Sequence, residues 1–112
     1  MNALPVVLRQ QAERDIEAAI AHYRIEAGAA VALRLVDELE RALRNMGRYP
    51  HAGSGRYAHE LTLPGLRFQP LRRFPYLVFY VVQHRQVNVW RVLHRSRDIP
   101  AWLDEPDGQG QR

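Results

Sequence analysis

The chain is predicted to be α+β, a pair of consecutive helices packed on a sheet, and three observations carry that expectation. Tyr76–Val82, YLVFYVV, is an uncharged run of aromatic and β-branched residues, the composition of a strand covered on both faces. Two stretches of helical periodicity flank Gly28, and two amphipathic helices need a sheet to cover. Finally, 112 residues with 46% hydrophobic content suffice for one core without disulfides or metal. We therefore expect a single domain over residues 1–103, followed by a disordered tail at 104–112, DEPDGQGQR, which lacks apolar content.

Taken in order, Leu4–Arg9 (LPVVLR) is a short apolar run with Pro5 near its start, which suits an edge strand. From Gln11 to Ala27, the residues Ala12, Ile16, Ala19, Ile20, Tyr23 and Ala27 recur at helical spacing among charged residues. Acidic residues in the first turns suit the positive end of the helix dipole. Gly28 permits a sharp break. A second helix follows from Ala29 to Met46, with a wider stripe of Ala32, Leu35, Val36, Leu39, Ala42, Leu43 and Met46, and Gly47 is read as its stop. The loop Gly47–Gly55, GRYPHAGSG, lacks both the Gly-Lys-Ser/Thr ending of a P-loop and GxGxxG spacing, so it reads as a connector.

Tyr57–Leu63 and Leu66–Leu71 read as two further strands, turning at Pro64-Gly65 in the manner of a type II turn. The central hairpin joins Tyr76–Val82 to Val87–His94 through Gln83–Gln86, a turn without Gly, Asn or Asp to supply positive φ. In the second of these strands Val87, Val89, Arg91 and Leu93 are expected on one face, and Asn88, Trp90, Val92 and His94 on the other. The predicted order is βααββββ, with the last four strands antiparallel in succession.

Charge is uneven along the chain. Residues 1–47 hold six Arg against seven acids, 48–97 hold nine Arg against Glu60 alone, and 98–112 hold Arg112 against four acids. Such a basic segment suits phosphate backbones or acidic protein partners. All sixteen cations are Arg, a residue with planar bidentate hydrogen bonding, although genome composition produces the same bias. The absence of cysteine excludes disulfides, thiolate nucleophiles and Cys-based zinc sites. The five His show no HxH or HxxxH spacing, so neither metal nor cofactor is expected. No basic segment precedes an apolar one at the N-terminus, and no apolar run approaches the roughly 18 residues of a membrane span. A cytoplasmic location is the expectation.

Five segments carry a resemblance to a known family: Ala12 to Ile16 (Ala-x-x-Asp-Ile), Tyr49-Pro50-His51-Ala52-Gly53, Leu63-Pro64-Gly65-Leu66-Arg67, Arg73 to Tyr80 (RFPYLVFY), and Arg91 to Asp98 (RVLHRSRD). Their shared order resembles the ParE toxins of bacterial toxin-antitoxin modules, within the RelE/ParE superfamily, over about residues 4–99. The resemblance implies a RelE/ParE-like helical hairpin on a curved antiparallel sheet, and a toxin neutralised by a ParD-like antitoxin. It further implies DNA gyrase as the target, trapped in its cleaved-DNA state, and contact with operator DNA only through the antitoxin.

The superfamily also contains ribosome-dependent mRNA endonucleases of the RelE type, which need groups to activate a 2′-hydroxyl, stabilise a phosphate and protonate a leaving oxygen. Arg67, Arg73, Arg91 and His94 are the candidates for that chemistry. The chain has no Lys, and no Tyr after Tyr80, which favours the ParE-like reading, with no catalytic residues. The candidate target contacts are then Arg73, Arg91, Arg95, Arg97 and Trp102. A non-toxic antitoxin-binding remnant is the third reading. Each residue also has a structural role open to it. Arg91 is either a functional cation on the concave face or a solvated residue with a packed stem, His94 a hydrogen-bonded strand end, and Arg95 and Arg97 an ion-pair group with Asp98. Trp102 is either a lid over the core or an exposed anchor.

Overall fold

The computed structural model of the protein describes residues 3–97 and Ile99. Its elements are β1 (Val6–Leu8), α1 (Gln10–Ala27), α2 (Ala29–Arg48), α3 (Arg56–Glu60), β2 (Arg67–Pro70), β3 (Tyr76–Gln83) and β4 (Gln86–His94). Helices pack on a four-stranded sheet of order β1-β4-β3-β2, so the α+β class holds. Gly28, at φ 95°, breaks the two long helices apart, as expected of a residue without a Cβ penalty. β1 lies at a sheet edge and β3 is interior, also as expected.

The details of the sheet correct the expectation in three places. Tyr57–Leu63 is not a strand. Residues 56–60 form α3, with Tyr57, Ala58, Leu61 and Leu63 turned toward Leu66, Phe68 and Phe79. Tyr57 and Leu61 are four residues apart and share a helical face, and burying that face outweighed the strand composition. The Pro64-Gly65 turn forms as read, with Gly65 at φ 83° and the Leu66 N–H donating to the Leu63 carbonyl at 3.1 Å. It leads out of a helical turn rather than out of a strand.

The sheet is also mixed rather than wholly antiparallel. β1 pairs parallel to β4, Val6 opposite Val87 and Leu8 opposite Val89, because the helical hairpin carries the chain away before the last strand returns beside the first. Finally, Gly47 lies inside the last turn of α2 and is buried. A Cβ there would stand 2.8 Å from the Leu4 carbonyl oxygen, and the Leu4 N–H donates to the Gly47 carbonyl at 2.9 Å. This glycine serves close backbone approach, not helix termination.

The β3–β4 hairpin turns on only two residues, His84 and Arg85, both left-handed at φ 53° and 60°, with Gln83 opposite Gln86. That is a primed two-residue turn built without the residues that favour it. Phe79 pairs with Arg91 while Tyr80 pairs with Val89, leaving Trp90 as the extra residue of a bulge. The bulge ends the simple alternation expected for this strand. Val87, Val89 and Val92 join the core under the helices, and Leu93 joins the second core.

The first core, between helices and sheet, contains Ala12, Leu35, Leu39, Met46, Val78 and Tyr80. The second, on the opposite face, is formed by Leu66, Phe79, Val81, Leu93 and Ile99, with the Phe79 ring 5.8 Å from Tyr57 and 5.5 Å from Phe68. Burying an aliphatic or aromatic side chain stabilises by roughly 1.5–3 kcal/mol, so both faces of β3 contribute. Among the described residues, no helix is long and apolar enough to cross a membrane.

Candidate functional site

β1 ends at Leu8 while β4 continues to His94, so the far half of β4 has no strand beside it on that side. Asp15 of α1 fills the place. Its carboxylate accepts the Val92 backbone N–H at 2.9 Å and the Arg91 guanidinium through Nε at 2.9 Å and an Nη at 3.0 Å. Both side chains are largely buried, 9% and 11% exposed. Arg91 is therefore neither a solvated residue nor a cation displayed on an open face. The guanidinium sits in a charge-assisted, two-point pair.

Beside this pair lies an open groove of about 570 Å³, lined by Asp15, His22, Tyr76, Arg91, His94 and Arg97 among others. It brings together three of the predicted site residues, Arg91, His94 and Arg97. His94 stacks edge-on against Tyr76, ring centroids 5.2 Å apart. Its Nδ1 accepts the Ser96 N–H at 3.1 Å and lies 2.8 Å from the Ser96 hydroxyl, which puts the proton of the neutral ring on Nε2. Burial pushes the Tyr76 hydroxyl above its ordinary pKa, with Tyr23 adding to the shift and Arg97 opposing it.

Arg95 and Arg97 are exposed in the turn after β4. The Arg95 N–H donates to the Pro75 carbonyl at 2.8 Å and the Arg97 N–H to the His94 carbonyl at 3.0 Å, so this backbone is fixed, with Arg97 also lining the groove beside Tyr76. Asp98, Trp102 and the tail at 104–112 lie outside the described residues.

Arg67 occupies a different place. An Nη donates to the Gly53 carbonyl at 2.9 Å, and the same loop is held by Tyr80, whose hydroxyl donates to the Pro50 carbonyl at 3.0 Å and accepts the Gly53 N–H at 3.1 Å. A Cβ on Gly53 would collide with that hydroxyl. Burial raises the Tyr80 pKa, keeping the hydroxyl a neutral donor. The loop is a connector, as read, but one clamped from two strands.

Arg73 lies across the Tyr23–Tyr76 contact, in a second pocket with Tyr23, Arg34, Arg72 and Phe74. The four nuclease candidates thus fall into three separate neighbourhoods. What sequence reasoning missed is the partner of Arg91. Asp15 stands three residues after buried Ala12 and four before buried Ala19, so it shares their helical face. An acid on that stripe and a lone Arg within an apolar strand were the available signal.

No group of His, Asp or Glu among the described residues is arranged to hold a metal. Residues 6–99 match the family described as "ParE toxin of type II toxin-antitoxin system, parDE". No curated protein matches the chain. Among solved structures, the fold is similar to that of a chain from "Chromosomal ParDE TA system from P. aeruginosa", with a TM-score of 0.69 and 22% identity, over 82% of this chain and 96% of that one. With the family match spanning every described strand and helix, the chain belongs to the ParE toxin family of type II toxin-antitoxin systems.

Proposed function

We propose that this ParE-family chain acts by binding rather than by covalent chemistry, inhibiting DNA gyrase by holding its cleaved-DNA state, and that a ParD-like antitoxin made beside it in the cytoplasm neutralises it. The observation that carries the binding reading is the engagement of the basic side chains that a nuclease would need. Arg91 is bound to Asp15, Arg67 holds the Gly53 carbonyl, and Arg73 faces a separate pocket. Phosphoryl chemistry requires cations that converge on one phosphate, and these do not. The gyrase target itself rests on the family match. We assign the target contact to Arg95 and Arg97, exposed in the backbone-fixed turn that follows β4, with Trp102 as the candidate apolar anchor.

The test is a supercoiling and DNA-cleavage assay with purified gyrase and the chain freed from its antitoxin, with the antitoxin-bound complex as control. Loss of supercoiling with accumulation of covalent gyrase-DNA complexes is expected, weakened when Arg95 and Arg97 are both changed to Ala. Unaffected gyrase overturns the target, and cleavage of translated mRNA in its place would establish the endonuclease reading.

A further inference from the structure

The pocket between the helical hairpin and the β2–β3 turn, about 560 Å³ in volume, is separate from the target contact proposed above. Tyr23, Val31 and Phe74 form apolar walls, with the Tyr23 and Phe74 rings 5.2 Å apart and nearly perpendicular. Arg34, Arg72 and Arg73 stand around it, all exposed. Among the described residues none of these three guanidiniums is paired with a carboxylate, in contrast to Arg41 and Arg91.

The one acid in the lining, Glu38, is already committed. It accepts Nε and an Nη of Arg41 at 2.9 and 2.7 Å, and the Arg72 backbone N–H at 2.6 Å. These contacts, the Arg41 pair foremost, hold its carboxyl below the ordinary range and therefore ionised. Three cations against one spoken-for anion leave the pocket positive.

Arg73 adds a second observation. Its backbone is left-handed, at φ 67°, where glycine is the unstrained choice. Its position puts a third guanidinium on the pocket.

We infer that this pocket receives an acidic and apolar segment of the antitoxin, one carboxylate meeting Arg34 and Arg73 while a neighbouring apolar side chain rests on Tyr23, Val31 and Phe74. The inference rests on the antitoxin reading above. A carboxylate fits better than a phosphate. Glu38 already occupies the Arg72 N–H that a phosphate oxygen would otherwise accept, and the apolar wall beside the guanidiniums suits a side-chain carboxylate carried on a peptide. The mixed apolar and cationic lining matches a peptide that carries both kinds of group.

The experiment measures the dissociation constant between the full-length chain and the small acidic protein encoded beside it, for the wild type, Arg34→Ala and Arg73→Gly. Arg34 is exposed on a helix and glycine suits the backbone at position 73, so both variants keep the wild-type circular dichroism and unfolding midpoint or exceed it. Each is expected to bind roughly tenfold more weakly, while Arg34→Ala still inhibits gyrase. Equal affinity for all three proteins overturns the pocket and leaves the antitoxin reading standing. No complex with the wild type overturns both. Full antitoxin binding by Arg34→Ala with loss of gyrase inhibition would mean that the pocket faces the target, and would also overturn the inference.

Discussion

Two clusters of arginine in this protein look alike in sequence and differ in physics. At the end of β4, Arg91 is buried against Asp15 and shares its carboxylate with the Val92 N–H. At the helical hairpin, Arg34, Arg72 and Arg73 are exposed around an aromatic pocket, and their guanidiniums form no ion pair among the described residues. Arg91 is thus part of the folded state, and its charge is balanced before any partner arrives. The second cluster leaves positive charge beside apolar surface, the combination that a partner can use. A basic side chain is thus a site cue only where the fold has not already used it.

The largest effect expected from this contrast follows Asp15→Ala, which leaves Arg91 buried without its counter-charge and the Val92 N–H without its acceptor. Breaking a buried pair in this way costs about 3–5 kcal/mol, read from urea unfolding. A loss under about 1 kcal/mol would put Arg91 in the same class as the exposed cations. Arg67→Ala removes a single hydrogen bond to the Gly53 carbonyl and is expected to cost about 1 kcal/mol, while Tyr80 still holds the loop. A loss matching that of Asp15→Ala would show the clamp to be as demanding as the buried pair.

Glu38 tests the boundary between the two clusters through pH. Its folded pKa lies below the usual 4.5 because of Arg41 first, with burial opposing. The folded state therefore releases this proton more readily than the unfolded state. The resulting stability is full above the ordinary Glu range and is lost as pH falls through the folded value. Glu38→Gln removes that contribution, so the stability gap between wild type and variant should narrow as the pH is lowered from neutral to about 3. A constant gap would mean that the Arg41 contact contributes nothing through charge.

The smallest effects belong to the strained turns. Arg85→Gly, at φ 60°, and Arg73→Gly should each stabilise by up to about 1 kcal/mol, the opposite sign to any change at Arg91. A clear loss in either would show that these side chains support the fold after all.

Much of the architecture was legible because it rests on local pattern. The apolar stripes marked both long helices, Gly28 their break, YLVFYVV the interior strand, and Pro64-Gly65 the turn ahead of β2. Tyr57–Leu63 misled because five to seven residues of aromatic and aliphatic character suit a strand or one turn of helix equally well. Only the open face of β3, with Phe79 waiting to be covered, decided between them. The candidate site was legible as a composition of arginine and His94, but its division into three neighbourhoods was not.

Sequence alone determined the α+β class, the helical hairpin, the central strands and the basic character of the second half, since periodicity, turn residues and charge are properties of neighbouring residues. Tertiary structure alone decided the parallel pairing of β1, the bulge at Trp90, and which arginines remain available to a partner. Asp15 and Arg91 are 76 residues apart. Whether a charge is satisfied depends on what the fold brings to within hydrogen-bonding distance, and no local pattern carries that information.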